Sequence, residues 1–159
     1  MGICPDFNHE AILTEYCTKG SLADLLENDE MELDWGFKSS LITDLVSGLD
    51  YLHNSFLVSH GNLHSSNCLI DSRFTLKMTD YALPELRHLS KQSANSVDAH
   101  VNTDSSYRVL LWRAPEFLRS LMPPAGSQKG DVYSMAIVLS EIVTRREPYA
   151  SPLVEVRLL

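Results

Sequence analysis

Positive charge is scarce in this chain, and so are cysteine and long apolar runs. Only 13 Lys and Arg stand against 21 Asp and Glu in 159 residues, a net charge of −8. That balance argues against a nucleic-acid partner or an anionic membrane surface. Cys4, Cys17 and Cys68 are too few and too scattered for a disulfide framework or a zinc site, which fits a reducing, cytosolic setting. No apolar stretch approaches the ~20 residues of a membrane span, so direct membrane insertion of this segment is not expected. Met1-Gly2-Ile3-Cys4 runs into Pro5 and Asp6 instead of a signal-peptide core. Asp6 also stands where an N-myristoylation signal needs Ser or Thr. No internal repeat is visible.

What is present is ordinary globular composition, 44% hydrophobic and 21% charged, enough for one modest core. Residues 1–10 read as polar and irregular. Ala11-Ile12-Leu13-Thr14-Glu15-Tyr16-Cys17 reads as a short strand, broken at Thr18-Lys19-Gly20. Ser21 is a natural N-cap for a short helix through Leu22, Leu25 and Leu26. Asp34 caps a longer helix to about His53, with Leu41, Leu45, Leu49 and Leu52 on one stripe and Ile42 and Val46 beside it. Cys68-Leu69-Ile70 and Thr75-Leu76-Lys77-Met78 form a hairpin about a turn at 71–73. A polar tract follows from about Arg87 to Arg108. Phe117-Leu118-Arg119 starts a helical turn, and Asp131 to about Arg145 is a helix apolar on most sides, expected to be buried all round.

The stretch that carries chemistry is His60-Gly61-Asn62-Leu63-His64-Ser65-Ser66-Asn67, followed by Thr79-Asp80-Tyr81-Ala82 and Ala114-Pro115-Glu116. In that order these segments resemble the catalytic loop, the metal-binding motif and the Ala-Pro-Glu motif of protein kinases. Gly61-Asn62 in place of Arg-Asp, with Leu111-Trp112 and Gly130-Asp131-Val132-Tyr133-Ser134, narrows the resemblance to the kinase-homology domain of receptor guanylate cyclases. The resemblance covers nearly the whole chain. It implies an α+β, protein-kinase-like fold, mainly the α-helical C-lobe with the hinge strand. Residues 1–17 would be the end of the N-lobe and the hinge, and 18–159 an incomplete C-lobe. The glycine-rich loop, the ATP-pairing Lys and the last C-lobe helices have no counterpart in the 159 residues. A fragment or partial gene model is therefore expected, poorly soluble and with exposed apolar surface around residues 131–145.

The same resemblance implies a function: a catalytically impaired, regulatory segment on the cytoplasmic side of a single-span plasma-membrane receptor. It would bind ATP and relay the receptor signal to a cyclase domain that makes cyclic GMP, with that domain and a dimer partner as its protein contacts. The alternative is an active or atypical protein kinase, since Asn67-Cys68-Leu69 and Trp112 also resemble tyrosine-kinase sequence. No catalytic residue is expected in the degenerate loop His60, Gly61, Asn62. The amide of Asn62 is essentially non-basic, and loss of a positioned base costs roughly 10²–10⁴ in rate; Asn62 is expected merely to complete a turn. Gly61 lacks the Arg side chain that would pair with a phosphorylated loop, and Ser90, Ser93, Ser96, Ser105 and Ser106 read as solvated. Asn67 and Asp80 supply hard oxygen atoms suited to Mg²⁺ with nucleotide phosphates, the alternative being that Asn67 bonds backbone and Asp80 caps a turn. Glu15, Tyr16 and Cys17 match the hinge, whose backbone groups would meet adenine, and Thr14 would sit at the back of that pocket. Ala82 stands where the motif has Gly, and His64, where a phosphate-contacting Lys is common, reads as an exposed structural histidine.

Overall fold

A computed structural model describes residues 2–4, 11–81, 108–119 and 126–150 of the chain. The expected serine tract and Ala82 lie outside these residues. The architecture is α+β, as the sequence led us to expect. Helices α1 (Leu22–Glu27), α2 (Trp35–His53), α3 (Pro115–Arg119) and α4 (Gln128–Thr144) accompany two small antiparallel sheets. One sheet pairs β1 (Gly2–Cys4) with β2 (Ala11–Leu13); the other pairs β3 (Cys68–Ile70) with β4 (Leu76–Met78).

The first ten residues therefore depart from the irregular reading. Gly2 pairs with Leu13, Ile3 with Ile12 and Cys4 with Ala11. A three-residue strand is too short to show a period, so only its partner reveals it. The second strand is also shorter than expected: it ends at Leu13, and residues 14–17 carry no regular structure.

The helices begin where side-chain chemistry starts them. Ser21 accepts from the Asp24 amide while Asp24 accepts from the Ser21 amide at 2.9 Å, a reciprocal capping box. Asp34 takes the Phe37 amide at 2.7 Å and caps α2. On α2 the four stripe leucines are all buried, whereas Val46 at the margin is 41% exposed. Each fully buried leucine contributes about 1.5–3 kcal/mol relative to an exposed one. The cluster that holds Leu41, Leu45 and Leu49 takes in Leu22, Cys68, Ile70, Trp112, Val138 and Ile142, so α1, α2, α4 and the β3–β4 hairpin share one core. Polar ties fix the hairpin on α2: the Leu76 amide donates to Asp44 Oδ2 at 3.0 Å. The chain before α1 extends the same sheet, with the Lys19 amide donating to the Ile70 carbonyl and the Ile70 amide to the Gly20 carbonyl.

Helix α4 corrects the reading of an apolar, wholly buried rod. Its buried stripe is Asp131, Ser134, Val138, Glu141 and Ile142, at helical spacing, while Val132 and Val143 are exposed. The two carboxylates are thus inside and two of the valines outside. Arg145 lies past the helix end, in the left-handed region at φ 52°. At the other end Gly130 lets α3 approach closely: a Cβ there would sit 2.4 Å from the Phe117 ring. Among the described residues no helix is long and apolar enough to cross a membrane.

Candidate functional site

The loop 60–67 hangs from α4. Asp131, buried in the first turn of that helix, accepts the His60 amide on Oδ2 at 2.7 Å and the Gly61 amide on Oδ1 at 2.8 Å. His53 Nε2 lies 2.9 Å from the same Oδ2, so one carboxylate joins α2, α4 and the loop. Gly61 takes φ 73°, a conformation that costs a side-chain-bearing residue about 1–2 kcal/mol. Leu63 then plugs the loop into the core. His64, expected to be exposed, is half-buried with its ring 5.8 Å from that of Trp112. Burial pushes its pKa below the ordinary histidine value, with the Asp80 charge opposing.

Asn62, Asn67 and Asp80 come together. The Asn62 side-chain amide donates to Asp80 Oδ2 at 2.7 Å, so Asn62 does more than complete a turn. Asn67 Nδ2 donates to the Asn62 backbone carbonyl at 2.9 Å and reaches Asp80 Oδ2 at 3.4 Å. The first of these two contacts fixes the amide: nitrogen faces the carbonyl, so Oδ1 points the other way. Asp80 itself sits at φ 62°, a conformation that Asp and Asn tolerate better than most residues. One carboxylate and one amide oxygen fit a Mg²⁺ ion only where phosphate oxygens complete its shell. Among the described residues no group of three or more His, Cys, Asp or Glu could hold a metal alone.

The hinge candidates form a second group. Thr14 and Glu15 are exposed and Cys17 is half-buried. Glu15 Oε1 pairs with Lys77 Nζ at 2.5 Å, and Lys77 also lies 3.4 Å from Asp71 Oδ2. Lys77 is on β4, three residues before Asp80, so the pair ties the hinge to the strand that leads into the site. Burial, then the neighbouring Glu15 charge, raises the Cys17 thiol pKa, so this thiol is not an activated nucleophile.

Sequence reasoning missed a buried cluster behind the loop. Glu141 accepts from Ser65 Oγ at 2.9 Å and from Trp112 Nε1 at 2.7 Å. Burial raises its pKa, and the two donors pull in the opposite direction. Burial also pushes the Cys68 thiol up to about 12. Beside the cluster a cavity of about 490 Å³ is bordered by α1, His64, Ser66, Trp112 and Arg145. Arg145 closes one side by donating to the carbonyls of Leu26, Asn28 and Met31. The available signal was the pair of acidic residues on an otherwise apolar helix.

Comparison with known proteins adds the family context. The family model for protein tyrosine and serine/threonine kinases matches residues 1–156. The chain is 51% identical over 150 residues to a receptor-type guanylate cyclase of Caenorhabditis elegans, covering 94% of this chain and 11% of that protein. It is 50% identical over 150 residues to atrial natriuretic peptide receptor 2 of Rattus norvegicus, covering 94% and 14%. To the speract receptor of Strongylocentrotus purpuratus it is 48% identical over 151 residues, covering 94% and 13%. The chain thus spans between 11% and 14% of the length of these three relatives.

Proposed function

The chain belongs to the protein tyrosine and serine/threonine kinase family, and from that membership we propose that it is a regulatory, catalytically impaired kinase-like segment of a receptor guanylate cyclase. On this reading it binds ATP on the cytoplasmic side of the membrane. It then relays the receptor signal, with a dimer partner, to a cyclase domain that makes cyclic GMP. The similarity to receptor-type guanylate cyclases supports the parent assignment.

The observation that carries the impairment is Asn62. Its position is that of the proton-accepting Asp in the kinase loop, yet its side chain donates a hydrogen bond to Asp80. A group that donates from an amide N–H is not a base, so substrate hydroxyl activation is absent. What supports nucleotide binding is the retained pair, Asn67 and Asp80, held together beside the loop. Thr14, Glu15 and Cys17 would line the adenine side of that site. Mg²⁺, when bound, would neutralise and orient the phosphates.

The test uses the intact kinase-like domain and its parent receptor. ATP with Mg²⁺ raises the melting temperature of the intact domain, and Asp80→Ala abolishes the rise. No radiolabel passes from ATP to protein. In the parent receptor Asp80→Ala removes the ATP dependence of cyclic GMP production. Label transfer that disappears with Asp80→Ala establishes the active-kinase alternative instead, and the absence of any ATP-induced shift rejects the nucleotide reading.

A further inference from the structure

The junction between α2 and the loop 60–67 turns through a residue that disfavours the turn. Helix α2 ends at His53, with Asn54 as its C-cap. The Ser55 hydroxyl then donates to the Leu52 carbonyl at 2.7 Å and accepts the Leu57 amide at 3.2 Å. The Val58 amide donates to the Ser55 carbonyl at 3.3 Å, and the Ser59 amide reaches back to the Leu57 carbonyl at 2.7 Å. That last bond spans only two residues and closes about Val58, which stands at φ 67°. A bond from residue i to i+2 about a positive φ is the pattern of the rare, strained form of γ-turn. Glycine enters the positive-φ region freely, whereas a β-branched residue there is a genuine outlier.

The side chains of the turn do not explain it. Val58 is 54% exposed and Phe56 is 91% exposed, so their burial does not offset the strain. A strained residue keeps its conformation only where its surroundings over-determine it, and here the restraints lie on either side. Before the turn, Ser55 is fixed to the last turn of α2. After it, Asp131 takes the His60 and Gly61 amides at 2.7 and 2.8 Å, and Leu63 sits in the core cluster. Strain acts against the attachments that impose it, so the Asp131 clamp holds its two amides under load.

We propose that residues 57–61 form a sprung hinge between α2 and the loop, with strained Val58 as the spring and the Asp131 carboxylate as the catch. Release of the His60 and Gly61 amides lets the turn relax while Leu63 stays in the core. This junction therefore opens ahead of the helices around it. Asp131 also meets His53 on α2, so opening of the hinge loosens the point at which α2, α4 and the loop join. The inference goes beyond the proposed function: it needs neither nucleotide nor cyclase, and its test contains neither.

The experiment is native-state amide hydrogen exchange on the intact kinase-like domain of the parent protein, with and without low urea. It compares the natural sequence, Val58→Gly and Val58→Ala. In the natural domain the His60 and Gly61 amides exchange faster than those of Leu45 and Leu49 and ignore low urea, because a local opening exposes little new surface. Val58→Gly slows their exchange about tenfold, and Val58→Ala slows it less. The order of the two variants decides the matter. At an unstrained position glycine is the worse residue, because it leaves the open chain more freedom; relief of a positive φ reverses that order. The proposal is overturned if Val58→Gly does not exchange more slowly than both the natural domain and Val58→Ala, or does not fold. It is equally overturned if the natural His60 and Gly61 amides exchange only together with Leu45 and Leu49, since the strain would then be locked into the fold and the junction would not be a hinge.

Discussion

At the scale of single residues, what counts most is which polar atoms are buried and what answers them. Glu141 is 7% exposed and receives two donors, Ser65 and Trp112. Glu141→Leu would orphan both, at about 1–3 kcal/mol for each buried group left unsatisfied; a loss of roughly 2–6 kcal/mol should appear in urea unfolding. Glu141→Gln should cost much less. Its oxygen can still accept from Trp112, and the Ser65 hydroxyl can turn to accept from its nitrogen. The pH dependence has a definite sign. Burial raises the folded pKa above the ordinary 4.5, so the folded state holds the proton more tightly than the unfolded chain. The contribution is complete below 4.5 and is lost as pH rises through the raised folded value. Urea titrations across that window should show stability falling with pH in the natural chain, and this component of the slope missing in Glu141→Gln.

At the scale of elements, close approaches and caps decide how the helices meet. Gly130 on α4 faces Phe117 on α3, where a Cβ would lie 2.4 Å from the ring. Gly130→Ala should therefore destabilise by about 1–3 kcal/mol through overpacking. The same substitution in a Phe117→Leu background should cost clearly less, which a double-mutant cycle in urea would measure. The caps at Ser21 and Asp34 were legible in the sequence, because a cap is a relation between residues three apart. The role of Arg145 was not legible. It anchors the end of α1 by donating to the Leu26 carbonyl 119 residues away, and no local pattern announces such a pair.

At the scale of the whole molecule, stability is unevenly distributed. The core cluster draws on α1, α2, α4 and the hairpin, whereas among the described side chains of β1 and β2 none joins it and Leu13 is 59% exposed. Native-state hydrogen exchange should therefore leave the Ile12 amide in β2 weakly protected. The amides of Leu45, Leu49, Val138 and Ile142 should exchange only on global opening. Equal protection in both groups would overturn this division. The exposed Val132 and Val143 on α4, with Tyr51 and Phe56 at 80% and 91% exposure, leave apolar surface open to solvent. Exposed apolar surface around residues 131–145 was expected from the sequence; which residues form it was not, because Asp131 and Glu141 share the inward stripe with Val138 and Ile142 while Val132 and Val143 face out.

The sequence by itself determined what depends on neighbours along the chain: the leucine stripe of α2, the capped helix starts, the β3–β4 hairpin and the order of kinase-like motifs. These follow from a fixed helical or strand repeat and from hydrogen bonds that reach only a few residues, so they can be read without a fold. Only the tertiary structure decided that the Asn62 amide meets Asp80, that Asp131 holds the loop backbone, and that Glu141 is shared by Ser65 and Trp112. Those contacts join residues between 18 and 76 positions apart. They arise because packing the apolar stripes into one core leaves each buried polar atom to find whichever partner the geometry brings within about 3 Å, and no periodicity in the chain encodes that choice.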